Sequence, residues 1–545
     1  MHQSQILAFA LQLSSESHPL IQTCYDNTLF YKGFLLNAAN QTKHLALSDS
    51  TATEKFNLLK SYRRRLANEY AKPIAERDST KVADLEEKAN TLEKDLARTV
   101  AGYGEAMRQV KWDEVQAALK PDEAAIEFTH FQYWDKKATD STLYAALVLR
   151  PKWEQPRMVY LCEQRQLDSL LSGVDATAAV QNLYALRGIE PGGKAPSAGL
   201  YRLLWQPLDS LLDGVKTVHF SASGSLHRIA FNAIPAPMAP LKGGTDMGVL
   251  ADRYQLNQLF STRSLVVPSV APTAANTTAT LFGGINYEPI STTLDSVAAD
   301  STTIAYTPLS TSLLNPNRGH RGEGWRYLPG TKQEVERLSQ LLEKQHIGTV
   351  AFTDTTATEE HFKSLGVGSP SPTILHIATH GFFFPDPAQR KERSMDFGGN
   401  TSIPLSEHPL MRSGLVLAGA NQAWKEGKPF PGREDGILTA YEIAQVNLTG
   451  TKLAVLSACE TGLGDIQGTE GVMGLQRAFK MAGVEKLIVS LWPVKDKESV
   501  VFMDLFYTKW LKEGKEIREA FYETQQWMRE RYKDPFVWAG FVLVE

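Results

Sequence analysis

Cysteine is scarce in this chain of 545 residues: Cys24, Cys162 and Cys459 are the whole complement, too far apart in sequence to build a disulfide framework. That usage fits a reducing compartment and a cytoplasmic protein. Long apolar runs are missing as well, and none approaches the ~18 residues of a membrane span. Residues 1–11 have neither the basic start nor the small-residue cleavage site of a secretory signal. No one sign of charge dominates. A formal net charge of −4 gives no basic field to attract nucleic acid or an anionic membrane, so neither is expected as a partner. What is present is a soluble-protein mixture, 43% apolar and 22% charged, in a chain too long for one core. Roughly three or four units are expected.

Residues 1–120 read as helical, with no convincing strand. Phe56, Leu59, Tyr62, Leu66 and Tyr70 recur at helical steps, and so do Val82, Leu85, Ala89, Leu92, Leu96, Val100, Tyr103, Met107 and Val110. The two stripes suit a helical hairpin or small bundle broken at Lys72-Pro73. From residue 121 strands and helices alternate. Strands are expected at 124–128, 144–149 and 158–161, and helices at Gln164–Leu171 and 197–212. Residues 121–267 therefore form an α/β unit. Its His219 and His227 flank a glycine-containing turn, but its only cysteine, Cys162, lies on a different strand, and the unit is expected to be catalytically silent. Residues 268–279, rich in Ala, Thr and Pro, read as a linker. Residues 280–545 form a second α/β unit, whose short aromatic last strand, 536–544, is expected at a sheet edge.

Two apolar runs in the second unit end abruptly. Thr373-Ile374-Leu375-His376-Ile377-Ala378-Thr379 stops at His380-Gly381, and Leu453-Ala454-Val455-Leu456-Ser457-Ala458 stops at Cys459, followed by Glu460-Thr461-Gly462. If these are neighbouring parallel strands, their carboxyl ends share the edge where an open α/β sheet holds its ligand. A thiol then faces an imidazole. The thiolate is the nucleophile, a free thiol titrates near ~8.5, and an adjacent imidazole can take its proton and return it to a leaving amine. Gly381 lets a backbone N–H approach the reacting carbonyl, and with the Cys459 N–H it can form an oxyanion hole. Taken singly, Cys459 reads as an inert buried thiol and His380 as a structural histidine; the joint pattern of two strand ends and two glycines favours chemistry. A metal site does not fit, because His376 and His380 lie ~13 Å apart along a strand and no second cysteine is near. No metal and no cofactor are expected.

Ile374-Leu375-His376-Ile377-Ala378-Thr379-His380-Gly381 and Leu456-Ser457-Ala458-Cys459-Glu460-Thr461-Gly462 resemble the two signature motifs of CHAT domains. Asp435-Gly436-Ile437-Leu438-Thr439-Ala440-Tyr441-Glu442-Ile443 and Val489-Ser490-Leu491-Trp492-Pro493-Val494 resemble the same family. The four fall in the family's order over residues 120–545. These are caspase-like cysteine proteases of the clan of caspases and separases, usually found beside tetratricopeptide repeats. The resemblance implies an α/β caspase-like fold of two caspase-type units, a silent half before an active one, here preceded by the helical region. It implies His380 as general base, Cys459 as nucleophile, and an oxyanion hole from the backbone of Gly381 and Cys459. No repeat of ~34 residues appears in the first 120 residues, so repeats precede this region or the helices replace them.

For substrate binding the resemblance to separases points to Asp496, after Trp492. Proline replaces the first aspartate of that motif, and Lys495 stands beside Asp496. Asp435 and Asp465 are further acidic candidates, with helix capping or a loop position as the simpler reading. A basic and an apolar P1 residue stay equally open. The irregular stretch 385–409 carries Arg390-Lys391-Glu392-Arg393 and reads as a gating loop open to self-cleavage. The expected function is a regulated cysteine endopeptidase that cuts a partner protein, under control of an activating partner or an upstream repeat domain. Family context adds bacterial defence, for example release of a gasdermin-like effector. The alternative is an inactive caspase-like scaffold or adaptor for protein–protein interaction.

Overall fold

The computed structural model describes residues 3–13, 19–34, 54–55, 58–59, 61–62, 65–66, 78–99, 109–135, 137–171, 184, 197–237, 247–267, 277–289, 324–383, 409–426, 433–458, 464–466, 472–492, 494 and 496–545. Its strands in the first α/β unit are β1 (Glu123–Asp135), β2 (Lys137–Leu149), β3 (Arg157–Glu163), β4 (Thr217–Ser221), β5 (Pro235–Pro237), β6 (Met247–Val249) and β7 (Gln255–Gln258). Those of the second are β8 (Thr278–Ile285), β9 (Gly348–Asp354), β10 (Ile374–Thr379), β11 (Gly381–Phe383), β12 (Ser413–Val416), β13 (Ile437–Thr439), β14 (Leu453–Ala458), β15 (Gly464–Ile466), β16 (Val472–Gly474), β17 (Lys486–Ser490) and β18 (Phe541–Val544).

One sheet of 11 strands runs through both units in the order β3-β2-β1-β4-β7-β18-β17-β14-β10-β8-β9. The mixed α/β class with a helical region in front matches expectation. The position of the last strand does not. β18 is an interior strand, antiparallel to β17 and parallel to β7, and it joins the two units. The Glu545 N–H donates to the Gln258 carbonyl at 3.0 Å, and the Phe260 N–H to the Glu545 carbonyl at 2.9 Å. Phe541, Val542, Leu543 and Val544 are all buried. A strand apolar on both faces needs cover on both, and here that outweighs its shortness.

Because β17 and β18 are antiparallel while β18, β7, β4 and β1 are mutually parallel, the first unit's parallel strands run opposite to β8, β9, β10, β14 and β17. The two carboxyl edges therefore lie on opposite sides of the sheet. Leu7, Ile21, Tyr25 and Leu29 of the helices Gln3–Gln12 and Leu20–Leu29 pack with Ala125, Leu147 and Leu149, covering one face of β1 and β2. Each such leucine contributes about 1.5–3 kcal/mol when fully buried. Leu59 and Leu66 of one expected stripe meet Leu85 and Ala89 of the other in a separate small cluster.

Candidate active site

β10 is buried along its whole length and pairs in parallel with β14, from Ile374↔Leu453 to Thr379↔Ala458. The two expected strands are thus neighbours, and their last residues are register partners. His380 follows Thr379 and Cys459 follows Ala458. Cys459 and residues 460–463 lie outside the described residues, as does the stretch 385–408.

The imidazole of His380 is half-buried and held on three sides. Its Nε2 lies 2.8 Å from the Arg326 carbonyl. A carbonyl can only accept, so Nε2 carries the proton and Nδ1 keeps a free lone pair. Tyr287 and Trp325 lie against the ring at centroid distances of 5.2 and 5.0 Å, and Trp424 packs on Trp325 at 4.8 Å. The Val416 N–H donates to the His380 carbonyl at 2.9 Å, and the Thr379 hydroxyl binds the Tyr287 hydroxyl at 2.9 Å and the Val416 carbonyl. Burial lowers the imidazole pKa from its usual 6.5, opposed by the Arg326 carbonyl and the Asp496 carboxylate. A neutral imidazole at neutral pH is the form a general base needs.

Gly381 opens β11, which pairs with β12 in a small sheet completed by β13. A cavity of about 390 Å³ lies beside the His380 ring, lined by Asn286, Tyr287, Glu288, Trp325, Arg326 and Tyr327. Beneath the site a buried network ties the two strands together. Glu334, on the helix Pro329–Lys344, sets Oε1 at 2.7 Å from His376 Nε2 and accepts the Ser457 hydroxyl on Oε2 at 3.2 Å, while His376 Nδ1 lies 3.2 Å from the Tyr507 hydroxyl. One carboxylate thereby bridges β10 and β14.

The acidic candidates are placed differently. Asp496 Oδ2 accepts the Gly330 N–H at 2.7 Å, in the first turn of the helix Pro329–Lys344. Asp435 accepts the Ile437 N–H at 2.9 Å and lines a cavity of about 350 Å³ with Glu434, Glu360 and Arg433. Burial, with the neighbouring Glu442 charge, pushes its carboxyl up to about 7. Asp465 lies in β15 opposite Met473. Trp492 is buried, its indole N–H donating to the Phe536 carbonyl at 2.8 Å. Among the described residues, Glu359, Glu434 and Glu442 could converge on a metal ion. The Lys363 ammonium already sits between them, at 2.6, 3.1 and 2.7 Å.

The motifs do not reveal the Arg326 carbonyl, which is backbone, nor the aromatic walls Tyr287 and Trp325. Glu334 was findable. It falls on the buried stripe Thr331, Glu334, Val335, Leu338, Leu342, where a carboxylate requires a partner.

Residues 194–545 match the CHAT domain model. The chain belongs to the CHAT domain family. It is 26% identical over 360 residues to human tetratricopeptide repeat protein 28, covering 64% of this chain and 13% of that protein. The mouse protein of the same name is 28% identical over 230 residues, covering 40% of this chain and 9% of its own length. The chain thus spans a small part of these relatives. Solved structures with a likeness include the Arg specific cysteine proteinase gingipain R, with a TM-score of 0.33, 11% identity and 68% and 73% of the two chains covered. Another is the Saccharomyces cerevisiae separase–securin complex, with a TM-score of 0.41, 10% identity and 99% and 39% covered. No helix among the described residues is long and apolar enough to cross a membrane.

Proposed function

We propose that this chain is a cytoplasmic caspase-type cysteine endopeptidase, with Cys459 as nucleophile and His380 as general base. The observation that carries the reading is the register of β10 and β14: Thr379 partners Ala458, and His380 and Cys459 are the residues that follow these two in sequence. His380 Nδ1 removes the thiol proton as sulfur attacks the scissile carbonyl, forming a tetrahedral intermediate. Its oxyanion is stabilised by the backbone N–H groups of Gly381 and Cys459. The imidazolium then protonates the leaving amine, and water hydrolyses the thioester with the same nitrogen as base. Membership of the CHAT domain family supports this reading.

The first unit, residues 121–267, acts as the silent half and residues 280–545 as the active one. The substrate is a partner protein, met through an activating partner or a neighbouring repeat domain, and family context extends this to a defence role such as freeing a gasdermin-like effector. Asp435, which lines a cavity, and Asp496, whose charge acts on the His380 imidazole although it already caps a helix, are the two candidates for holding a basic P1 residue. Labelling with peptide acyloxymethyl ketones carrying either a basic or an apolar P1 residue tests activity and preference together. Cys459 should be labelled selectively, the faster of the two probes giving the P1 preference, and His380→Ala should abolish the labelling. Equal labelling of Cys24 and Cys162 would favour a scaffold without turnover.

A further inference from the structure

Asn421 is fully buried on the helix Ala420–Glu426, and its side chain spans the segments that flank His380. Its Oδ1 accepts the Trp325 N–H at 2.6 Å, and its Nδ2 donates to the Trp325 carbonyl at 3.1 Å and to Glu288 Oε1 at 2.8 Å. Its backbone N–H donates to the Tyr287 carbonyl at 2.8 Å. One residue therefore holds both aromatic walls of the imidazole. It also grips both polar groups of the residue immediately before Arg326, whose carbonyl fixes Nε2. A buried amide that satisfies a neighbour's N–H and C=O together leaves that backbone little freedom to turn. The fit is close: a Cβ on Gly324 would lie 2.5 Å from Asn421 Oδ1, so only glycine lets the chain approach.

We propose that Asn421 is a positioning residue for His380: by clamping Trp325 it aims the Arg326 carbonyl at Nε2, and so keeps the imidazole proton off Nδ1. Its consequence for catalysis rests on the endopeptidase reading above, because Nδ1 is the nitrogen left for the thiol. The positioning itself does not. Without the clamp the Arg326 carbonyl loses its fixed direction, the two tautomers approach the mixture of a free imidazole, and the fraction of chains with a basic Nδ1 falls. Substrate affinity is not expected to change.

The test reads the tautomer directly, on the full chain with 15N-labelled histidine in a Cys459→Ala background, with the His380 signals assigned by their loss in His380→Ala. Two-bond 15N–1H correlations should show an Nε2–H tautomer for His380, replaced in Asn421→Ala by an averaged one. Asn421→Asp keeps the acceptor for the Trp325 N–H but sets a buried carboxylate oxygen against Glu288 where the amide donated, so it too should give an averaged tautomer, and it carries the test alone if Asn421→Ala does not fold. With Cys459 present, kcat should fall by a few fold at most, since a tautomer mixture still leaves many chains with a basic Nδ1, and KM should stay nearly unchanged. A wild-type tautomer in both variants overturns the proposal, whatever happens to kcat. A shifted tautomer in a chain that cleaves no peptide upholds the positioning and sinks the endopeptidase reading instead.

Discussion

The two carboxyl edges of the sheet carry similar chemistry and opposite access. At the first, Ser223 follows β4 and places its hydroxyl 2.7 Å from His130 Nδ1 on the neighbouring β1, the spacing of a nucleophile and its base. Yet Ser223 is only 1% exposed and His130 is buried, so no substrate carbonyl can reach the hydroxyl. The helical region helps to seal this edge. Lys32 inserts its ammonium 2.9 Å from Glu127 and donates to Ser221 Oγ at 3.0 Å, the Ala222 carbonyl at 3.0 Å and the Phe128 carbonyl at 2.5 Å. At the second edge His380 is half-buried beside a cavity, and the strand that runs into Cys459 is its neighbour. Access, more than the pairing of polar groups, separates the proposed silent half from the proposed active one.

That contrast breaks most readily through the histidines. His380→Ala should cut turnover by about 10²–10⁴-fold, whereas His130→Ala should leave it within about twofold at neutral pH in folded protein. Comparable losses would erase the distinction. Next in size is the seal. Lys32→Ala strands the buried Glu127 charge and should cost about 3–5 kcal/mol in denaturant unfolding, with the Lys32→Met, Glu127→Gln pair costing less because no charge is left unpaired. A loss no greater than that of a surface lysine would show that the ammonium is not what closes the edge.

Acid sharpens the comparison further. Burial, and then the Lys32 charge, lower His130 from 6.5 to about 4; burial, Lys32 and His130 lower His227 to about 3. Both stay neutral in the fold while the unfolded chain takes up protons below 6.5. Stability should therefore fall as pH drops from 6.5 towards 4, by on the order of 3 kcal/mol from His130. His130→Gln should flatten that slope; an unchanged slope would contradict the assignment. The smallest effect expected is that of Glu334→Gln, which weakens the bridge to His376 and Ser457 by about 1–2 kcal/mol. A cleavage loss larger than that of His380→Ala would put the chemistry on the wrong pair.

The strands of the dyad were legible because fully buried parallel strands leave unbroken apolar runs, and β10 and β14 end where those runs end. β1 and β2 were only half legible. Each spans 13 residues, well beyond the runs at 124–128 and 144–149, because Thr129, His130 and Gln132 continue a hairpin whose partners lie on β2. Polar residues in a long hairpin carry no strand signature of their own. The apolar pattern of β18 marks a strand but not its place in the sheet, since pairing with β7 depends on a segment more than 280 residues away. The 536–544 reading also merged it with the short helix Pro535–Trp538. Around His380 the motif marked the histidine proposed as base, whereas the backbone carbonyl on its Nε2 and the buried asparagine behind that carbonyl are not marked by sequence spacing.

The central claim is that His380 activates Cys459. The rate of Cys459 alkylation by iodoacetamide against pH, read by peptide mass spectrometry in the wild-type chain and in His380→Ala, addresses it without any substrate. The account predicts a midpoint below the ~8.5 of a free thiol in the wild type and a return towards it in His380→Ala. Superimposable profiles from the two proteins would contradict it.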